Sequence, residues 1–341
     1  MDLLPTAEQT EIANAATELL SKELSTAQLR ARIGEADAVS PAAWQACAGM
    51  GLLALGLPSS VGGADCGLPE ETLLFREIGR HVAPGPFLAT VLAGHLALAA
   101  GDEALAGRLA AGSVRVAHLE PTPGSSVTAA TLEGRFQVRD WAGAEYALVL
   151  GPQVAVLVEL SALGPITAYP SIDPGVRVGE VDVAGAPVAL ALAEPSELYL
   201  RGLVLVSAQL VGIALAARDL SVEHAKNRQQ FGKPIGVNQA IKHKCAEMAV
   251  AAERAHSQLL FAAATCAEGR ADSEFQARAA KVIAFDAARK NAAATIQVHG
   301  GMGWTSEFDA HLLVERAEFL ENTLSSRSDN LAALIGLDAP Q

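Results

Sequence analysis

The period of the apolar residues changes twice along this chain, and few architectures accommodate both changes. From Thr6 to about Gly112 the pattern is helical, cut by loops at Pro58-Ser59-Ser60-Val61-Gly62-Gly63 and Pro84-Gly85-Pro86. Thr6-Ala7-Glu8-Gln9 has the form of a capping box, and Ser40-Pro41 that of a second helix start. From about Ser113 to Pro195 the period falls to two. Val114 and Val116 flank Arg115, and Phe136 and Val138 alternate with Arg135, Gln137 and Arg139. Short β-rich runs follow at Tyr146–Leu150, Val154–Leu160, Val176–Val178 and Val181–Val183, which together predict a small antiparallel sheet. From about Glu197 the helical period returns. Cys245, Met248, Ala249, Ala252, His256, Leu259, Leu260 and Ala263 share one helical stripe, on which His256 reads as a satisfied interior histidine. The expected fold is mainly α with a middle β-domain: a helical N-terminal domain over 1–112, a sheet over 113–196 and a helical bundle over 197–341.

The chain has 341 residues, half of them hydrophobic but only 4% aromatic, which favours tightly packed alanine- and leucine-rich helices. A net charge of -13 argues against nucleic acid as a partner, because a phosphate backbone needs a basic face. Cys47, Cys66, Cys245 and Cys266 have neither CxxC nor Cys/His ligand spacing, so they read as reduced thiols of a cytoplasmic protein that binds no metal. Met1-Asp2-Leu3-Leu4-Pro5 lacks the basic and apolar regions of a signal peptide. The apolar windows near Leu203–Ala217 and Phe87–Ala100 are short for a bilayer and carry polar residues, so no membrane span is expected.

Against that acidic background, one stretch is basic. Arg228-Gln229-Gln230-Phe231-Gly232-Lys233-Pro234-Ile235 ends the helical pattern of Leu203–His224, and a new helix opens around Val237. Glycine and proline predict a tight turn, with Pro234 in the first turn of the helix that follows. Arg228, Lys233, Lys242 and Lys244 lie close together in sequence, and a guanidinium beside a turn suits a phosphate. A solvated helix–turn–helix junction would read the same way. A second motif, Gln297-Val298-His299-Gly300-Gly301-Met302-Gly303-Trp304, follows a helical run from Ser273 to about Ile296. Paired glycines end a helix and let a polyphosphate approach the backbone, although read alone they are a C-cap.

Taken together, Arg228-x-Gln-Phe-Gly-x-Pro-Ile with Gln239 and Ile241-Lys242-His243, and Gln297 with Gly300-Gly301-x-Gly303-Trp304, resemble the acyl-CoA dehydrogenase family. Gly49-Met50-Gly51-Leu52-Leu53 through Pro58, Gly62-Gly63 and Arg76-Glu77-Ile78-Gly79-Arg80 extend the resemblance over most of the chain. The resemblance implies three domains, helical, β and four-helix bundle, and FAD-dependent 2,3-desaturation of an acyl-CoA thioester. It implies FAD contacts for Arg228, Phe231, Gln239, Gln297, Gly300 and Gly301, typically across a subunit interface. Leu119-Glu120-Pro121 with Gly124-Ser125 is similar to a degraded form of the family's Thr-Glu-Pro-Gly-x-Gly-Ser loop. Trp141 falls either at its flavin-facing strand position or in packing.

The family's chemistry needs a carboxylate to take the α-proton while the β-hydrogen leaves as hydride to the flavin. Counting from Arg316, the matching position is Ser325. Some relatives carry the base on the helix before Arg228, and the matching stretch here, Tyr199-Leu200-Arg201-Gly202-Leu203-Val204, also lacks one. Glu321 is the nearest candidate; otherwise it is an ordinary helix residue. Gly303 to Leu312 resembles dehydrogenases built from two unlike subunits, often for steroid side chains or other bulky acyl-CoAs. Three readings follow: a base-deficient, FAD-contacting subunit of a hetero-oligomer, a complete homo-oligomeric dehydrogenase with an unusual base, or a scaffold of the same fold without flavin. The expected partners are an acyl-CoA, a second dehydrogenase-like subunit and an electron-transfer flavoprotein as acceptor.

Overall fold

The computed structural model describes residues 3–337, so Met1 and Asp2 of the N-terminal stretch lie outside it. Six helices come first: α1 (Ala7–Glu23), α2 (Thr26–Ala31), α3 (Pro41–Gly49), α4 (Leu68–Arg80), α5 (Phe87–Ala99) and α6 (Glu103–Ala110). The capping box at Thr6 forms, with Gln9 Oε1 accepting from the Thr6 N–H at 2.9 Å and Thr6 Oγ1 from the Gln9 N–H at 3.2 Å. Ser40 caps α3 ahead of Pro41. The strands are β1 (Val116–Pro121), β2 (Ser126–Val127), β3 (Thr131–Arg139), β4 (Tyr146–Gly151), β5 (Val154–Glu159), β6 (Thr167–Tyr169), β7 (Val178–Pro187) and β8 (Leu190–Ala191). Helices return with α7 (Ser196–Asn227), then a hairpin of β9 (Gln229–Gln230) and β10 (Lys233–Pro234). The chain continues through α8 (Gln239–Ala267), α9 (Ser273–His299), α10 (Ala310–Glu321) and α11 (Arg327–Gly336).

Helices, then sheet, then helices is the order expected, but three details differ. The runs at Val176–Val178 and Val181–Val183 are not two strands: Val178 and Val181–Val183 share β7, with Val176 in the bend before it, and β7 pairs with β3 from Val178↔Arg139 to Pro187↔Thr131, one register shift at Leu132/Glu133 absorbing the irregularity. The sheet is not wholly antiparallel, because β4 returns beside β1 in parallel register, Val116↔Tyr146 to His118↔Leu148. Finally, the apolar window at Leu203–Ala217 is part of a single helix of 32 residues. By length and composition that helix could cross a membrane, yet 83% of its most apolar 18-residue window is buried within the fold.

By compactness the described residues form two units. The sheet unit comprises Glu18–Glu71 and Ala83–Gly202. Its sheet runs β6-β7-β3-β1-β4-β5-β8, and one face packs Leu119, Phe136, Val138, Val149, Val156 and Val181 into a core. Trp141 lies against that core, close to Gly179, so its role here is packing. Helix α5 is tied to β1 where the Val116 N–H donates to Thr90 Oγ1 at 3.2 Å. Glu71, 1% exposed, binds His95 Nε2 at 2.7 Å and the Arg201 guanidinium. Burial opposes the Glu71 charge, but His95 and Arg201 outweigh it and hold its pKa below the ordinary carboxylate value.

The bundle unit holds the chain up to Thr17, Thr72–Val82 and everything from Leu203 on. Helices α7 and α9 run parallel, as shown by pairs that advance together. Asn291 Nδ2 donates to Ala214 O at 3.0 Å, Thr295 Oγ1 to Ala217 O at 2.8 Å, and Thr295 Oγ1 meets Ser221 Oγ at 2.9 Å. Asn291 Nδ2 also reaches Met248 O on α8 at 2.9 Å. The His256 ring is only partly buried, and its Nδ1 has no partner among the described residues, so it is not the satisfied histidine expected. Helix α4 crosses α7 backbone to backbone: a Cβ on Gly79 would lie 2.0 Å from Gln209 O, and one on Gly212 2.0 Å from Arg76 O. Neither carbonyl can retreat without breaking a helix, so Gly212→Ala is expected to lower stability by about 2 kcal/mol or more, read as an earlier urea midpoint with an unchanged m-value.

Candidate functional site

The seam between α7 and α9 places both sequence motifs at one end of the bundle unit. On α7 the last turn carries His224, and Arg228 follows, its N–H donating to His224 O at 2.8 Å. On α9 the last residue is His299, followed by Gly300 and Gly301. The His224 and His299 rings stack with centroids 4.0 Å apart and planes 31° apart. Thus Arg228 and Gly300-Gly301, 72 positions apart in sequence, flank one imidazole pair.

Beyond Arg228 the chain reverses in a two-residue hairpin. Phe231 (φ 52) and Gly232 (φ 74) are both left-handed, the arrangement of a type I′ turn. The Ile235 N–H donates to Arg228 O at 2.8 Å and closes the loop. Pro234 lies in β10 and caps the short 3-10 turn Ile235–Val237, rather than entering the following helix, which begins at Gln239 behind Asn238. Proline has no N–H to give a ladder and suits this edge position. Phe231 is 101% exposed, and a left-handed phenylalanine carries backbone strain of about 1–2 kcal/mol. An exposed, strained aromatic at a hairpin tip is arranged for something that covers it. Beneath the hairpin lies a cavity of about 390 Å3, lined by Val222, Ala225, Pro234, Val237 and Ile241 together with Lys226, Lys242 and Cys245. Burial raises the Cys245 thiol pKa, with nearby Lys244 pulling the other way, so it stays protonated and adds apolar surface.

Gln239 and Gln297 are both exposed, one in the first turn of α8 and the other in the last turn of α9. Gly300 (φ 64, ψ -145) occupies a backbone region open only to glycine, and its N–H donates to Ile296 O. Added Cβ atoms at Gly300 and Gly301 would meet nothing within 4 Å, whereas Gly303 is backed against Ile296. The double glycine therefore presents bare backbone to open space. Trp304, 69% exposed, stands beside it. Among the described residues no group of His, Cys, Asp and Glu could hold a metal, and the four cysteines form no disulfide with one another.

The expected base positions are occupied differently. Ser325 accepts a hydrogen bond from Asn330 Nδ2. Glu321 ends α10, and its Oε1 accepts the Arg327 N–H at 2.9 Å, capping the start of α11. The intervening loop is held from below by the buried Lys281, which donates to Leu320 O at 2.8 Å and Thr323 O at 3.1 Å. In the stretch 199–204 the ionic side chain is Arg201, already paired with Glu71. The degraded Glu-Pro loop puts Glu120 against His118 at 2.8 Å and Arg139 at 3.6 Å. His224, His299 and Lys281 were not singled out from sequence. The spacing of His224, four before Arg228, was the available signal.

The "Acyl-CoA dehydrogenase, N-terminal domain" profile matches residues 6–114, and the "Acyl-CoA dehydrogenase, C-terminal domain" profile matches 201–322. The chain belongs to the acyl-CoA dehydrogenase family. It is 29% identical to the acyl-CoA dehydrogenase IpdE2 of Mycobacterium tuberculosis over 97% of this chain and 98% of that protein. It is 34% identical to FadE34 of the same organism over 83% of this chain, which spans only 40% of FadE34. The solved steroid ACAD Tcur3481-Tcur3483 superposes with a TM-score of 0.85 at 25% identity, covering 96% of this chain and 97% of that one. The chain is thus an oxidoreductase acting on acyl-CoA, with FAD as cofactor. The residues present suit that group: an exposed guanidinium and several lysines for a diphosphate, and a glycine pair whose missing side chains leave it room. Phe231→Asn produces the residue pair favoured in a type I′ turn. It is expected to raise the stability of the unliganded chain by about 1 kcal/mol, measured by urea unfolding, while lowering flavin retention in the assembled oligomer, measured by the flavin-to-protein absorbance ratio.

Proposed function

We propose that this chain is the FAD-contacting, base-deficient subunit of a hetero-oligomeric acyl-CoA dehydrogenase that desaturates a bulky or steroid-derived acyl-CoA. The observation that carries the proposal is the pairing of an open diphosphate end with a pinned loop that offers no free carboxylate. Arg228 and the Gly300-Gly301 backbone would hold the diphosphate, with Phe231, Gln239 and Gln297 around the nucleotide. Bound FAD supplies the acceptor for the hydride. Ser325 has no acid to take the α-proton, and Glu321 is engaged as a helix cap. The partner subunit would supply that carboxylate and most of the thioester pocket, and an electron-transfer flavoprotein would accept the electrons. The likeness to IpdE2 over the full length, and to a steroid ACAD solved with two named components, supports this reading. A cytoplasmic setting suits four thiols that form no disulfide with one another.

Co-expression separates this proposal from a self-sufficient enzyme. Alone, the chain should retain little flavin and show no turnover of acyl-CoA; with a dehydrogenase-like partner it should become yellow and active. Robust bleaching by an acyl-CoA in the isolated chain would sink the proposal, as would absence of flavin from the complex. Within the complex, Arg228→Ala should weaken FAD binding by about 1.5–3 kcal/mol, read from fluorescence titration. Glu321→Gln should leave turnover unchanged, since the proposal gives that carboxylate no proton to carry.

A further inference from the structure

The stacked histidines are a titratable pair at the proposed nucleotide end that the proposed chemistry leaves unused. His224 lies in the last turn of α7 and Arg228 just past its end, where the Arg228 N–H donates to His224 O at 2.8 Å. Its neighbour His299 is buried and committed: Thr295 O accepts its Nδ1–H at 2.9 Å, and the Phe308 ring lies 5.9 Å from it on another side. His224 is the more open of the two rings. A positive charge on His224 would sit 4.0 Å, centroid to centroid, from the His299 ring, and His224 is the ring open enough to solvent to take a proton.

In the flavin-free chain that proton is disfavoured. Burial, then His299 from α9, then Arg228 just past the end of α7 all push the His224 pKa below its ordinary value of 6.5. A diphosphate beside Arg228 and the glycine pair brings negative charge to the same place and reverses that balance. Resting on the assignment of the diphosphate to this end of the bundle, we propose that His224 is a further anion-binding residue of the flavin site, neutral when the site is empty and an imidazolium when FAD is bound. Each FAD that binds then draws a proton from solvent onto the His224 ring, and the new N–H donates toward the diphosphate. His299 is a positioning residue, holding that ring between Arg228 and Gly300.

The sign of the pH dependence follows. The His224 pKa is higher with FAD bound than without it. Affinity therefore rises as pH falls through the bound-state pKa, by up to about tenfold per pH unit, and levels off below the free-state pKa. Calorimetric titration of FAD into the flavin-free oligomer, in two buffers of different ionisation enthalpy, counts the protons directly, because FAD itself does not titrate between about pH 5.5 and 8. Uptake of a sizeable fraction of a proton per flavin is expected near neutral pH. His224→Gln should abolish the uptake and flatten the affinity profile, whereas Arg228→Ala should weaken binding yet keep the uptake. Tight FAD binding with no proton uptake and a flat profile would overturn the role of His224 alone. Failure of the assembled oligomer to bind FAD at all would overturn both this role and the placement of the diphosphate.

Discussion

Side chains of α9 reach the backbone of α7 at two successive turns, and the register of the nucleotide end depends on those bonds. Asn291 and Thr295 are buried and donate to carbonyls of a helix already satisfied within itself, so they add specificity without competing for the helix's own bonds. The Asn291 amide can serve only one way round, because its two donors face the Ala214 and Met248 carbonyls while Oδ1 finds no partner among the described residues. An acceptor left without a partner indicates that geometry outweighs local satisfaction there. A slip of either helix by one residue would separate His224 from His299, and with them Arg228 from Gly300.

Parallel helices impose a penalty at this end. Both α7 and α9 point their C-terminal carbonyls toward the end where we propose that the diphosphate binds, and helix dipoles there repel negative charge. The chain answers with cations around the helix ends, Lys226 in the last turn of α7, Arg228 and Lys233 past it and Lys242 in the first turn of α8, and with a glycine pair that turns the backbone away from the helical direction. That answer is local, which is why it coexists with a net charge of -13. The strained turn at Phe231 belongs to the same design, since strain is retained where a ligand or neighbour makes use of it.

By contrast, the loop between α10 and α11 shows no such readiness. Lys281 beneath it, Asn330 beside it and the Glu321 cap at its edge satisfy its polar groups from within the bundle unit. A segment tied at so many points is not free to bring a different side chain forward. Rigidity there and openness at the nucleotide end fit a division of labour between unlike subunits.

Sequence alone determined the order of helices, sheet and helices, the loop positions set by proline and glycine, and the motif residues Arg228, Phe231, Gln297, Gly300 and Gly301. These are properties of local spacing and residue type, which the chain carries without folding. It could not show that Val178 and Val181–Val183 lie on one strand, that β4 runs parallel to β1, or that Pro234 stays outside a helix, because pairing partners and register are non-local. Nor could it show that His224 meets His299, or that Glu321 spends its carboxylate on a helix cap. Those outcomes depended on which helices run side by side and in what register, and only close packing of the bundle, through contacts between residues far apart in sequence, decided that.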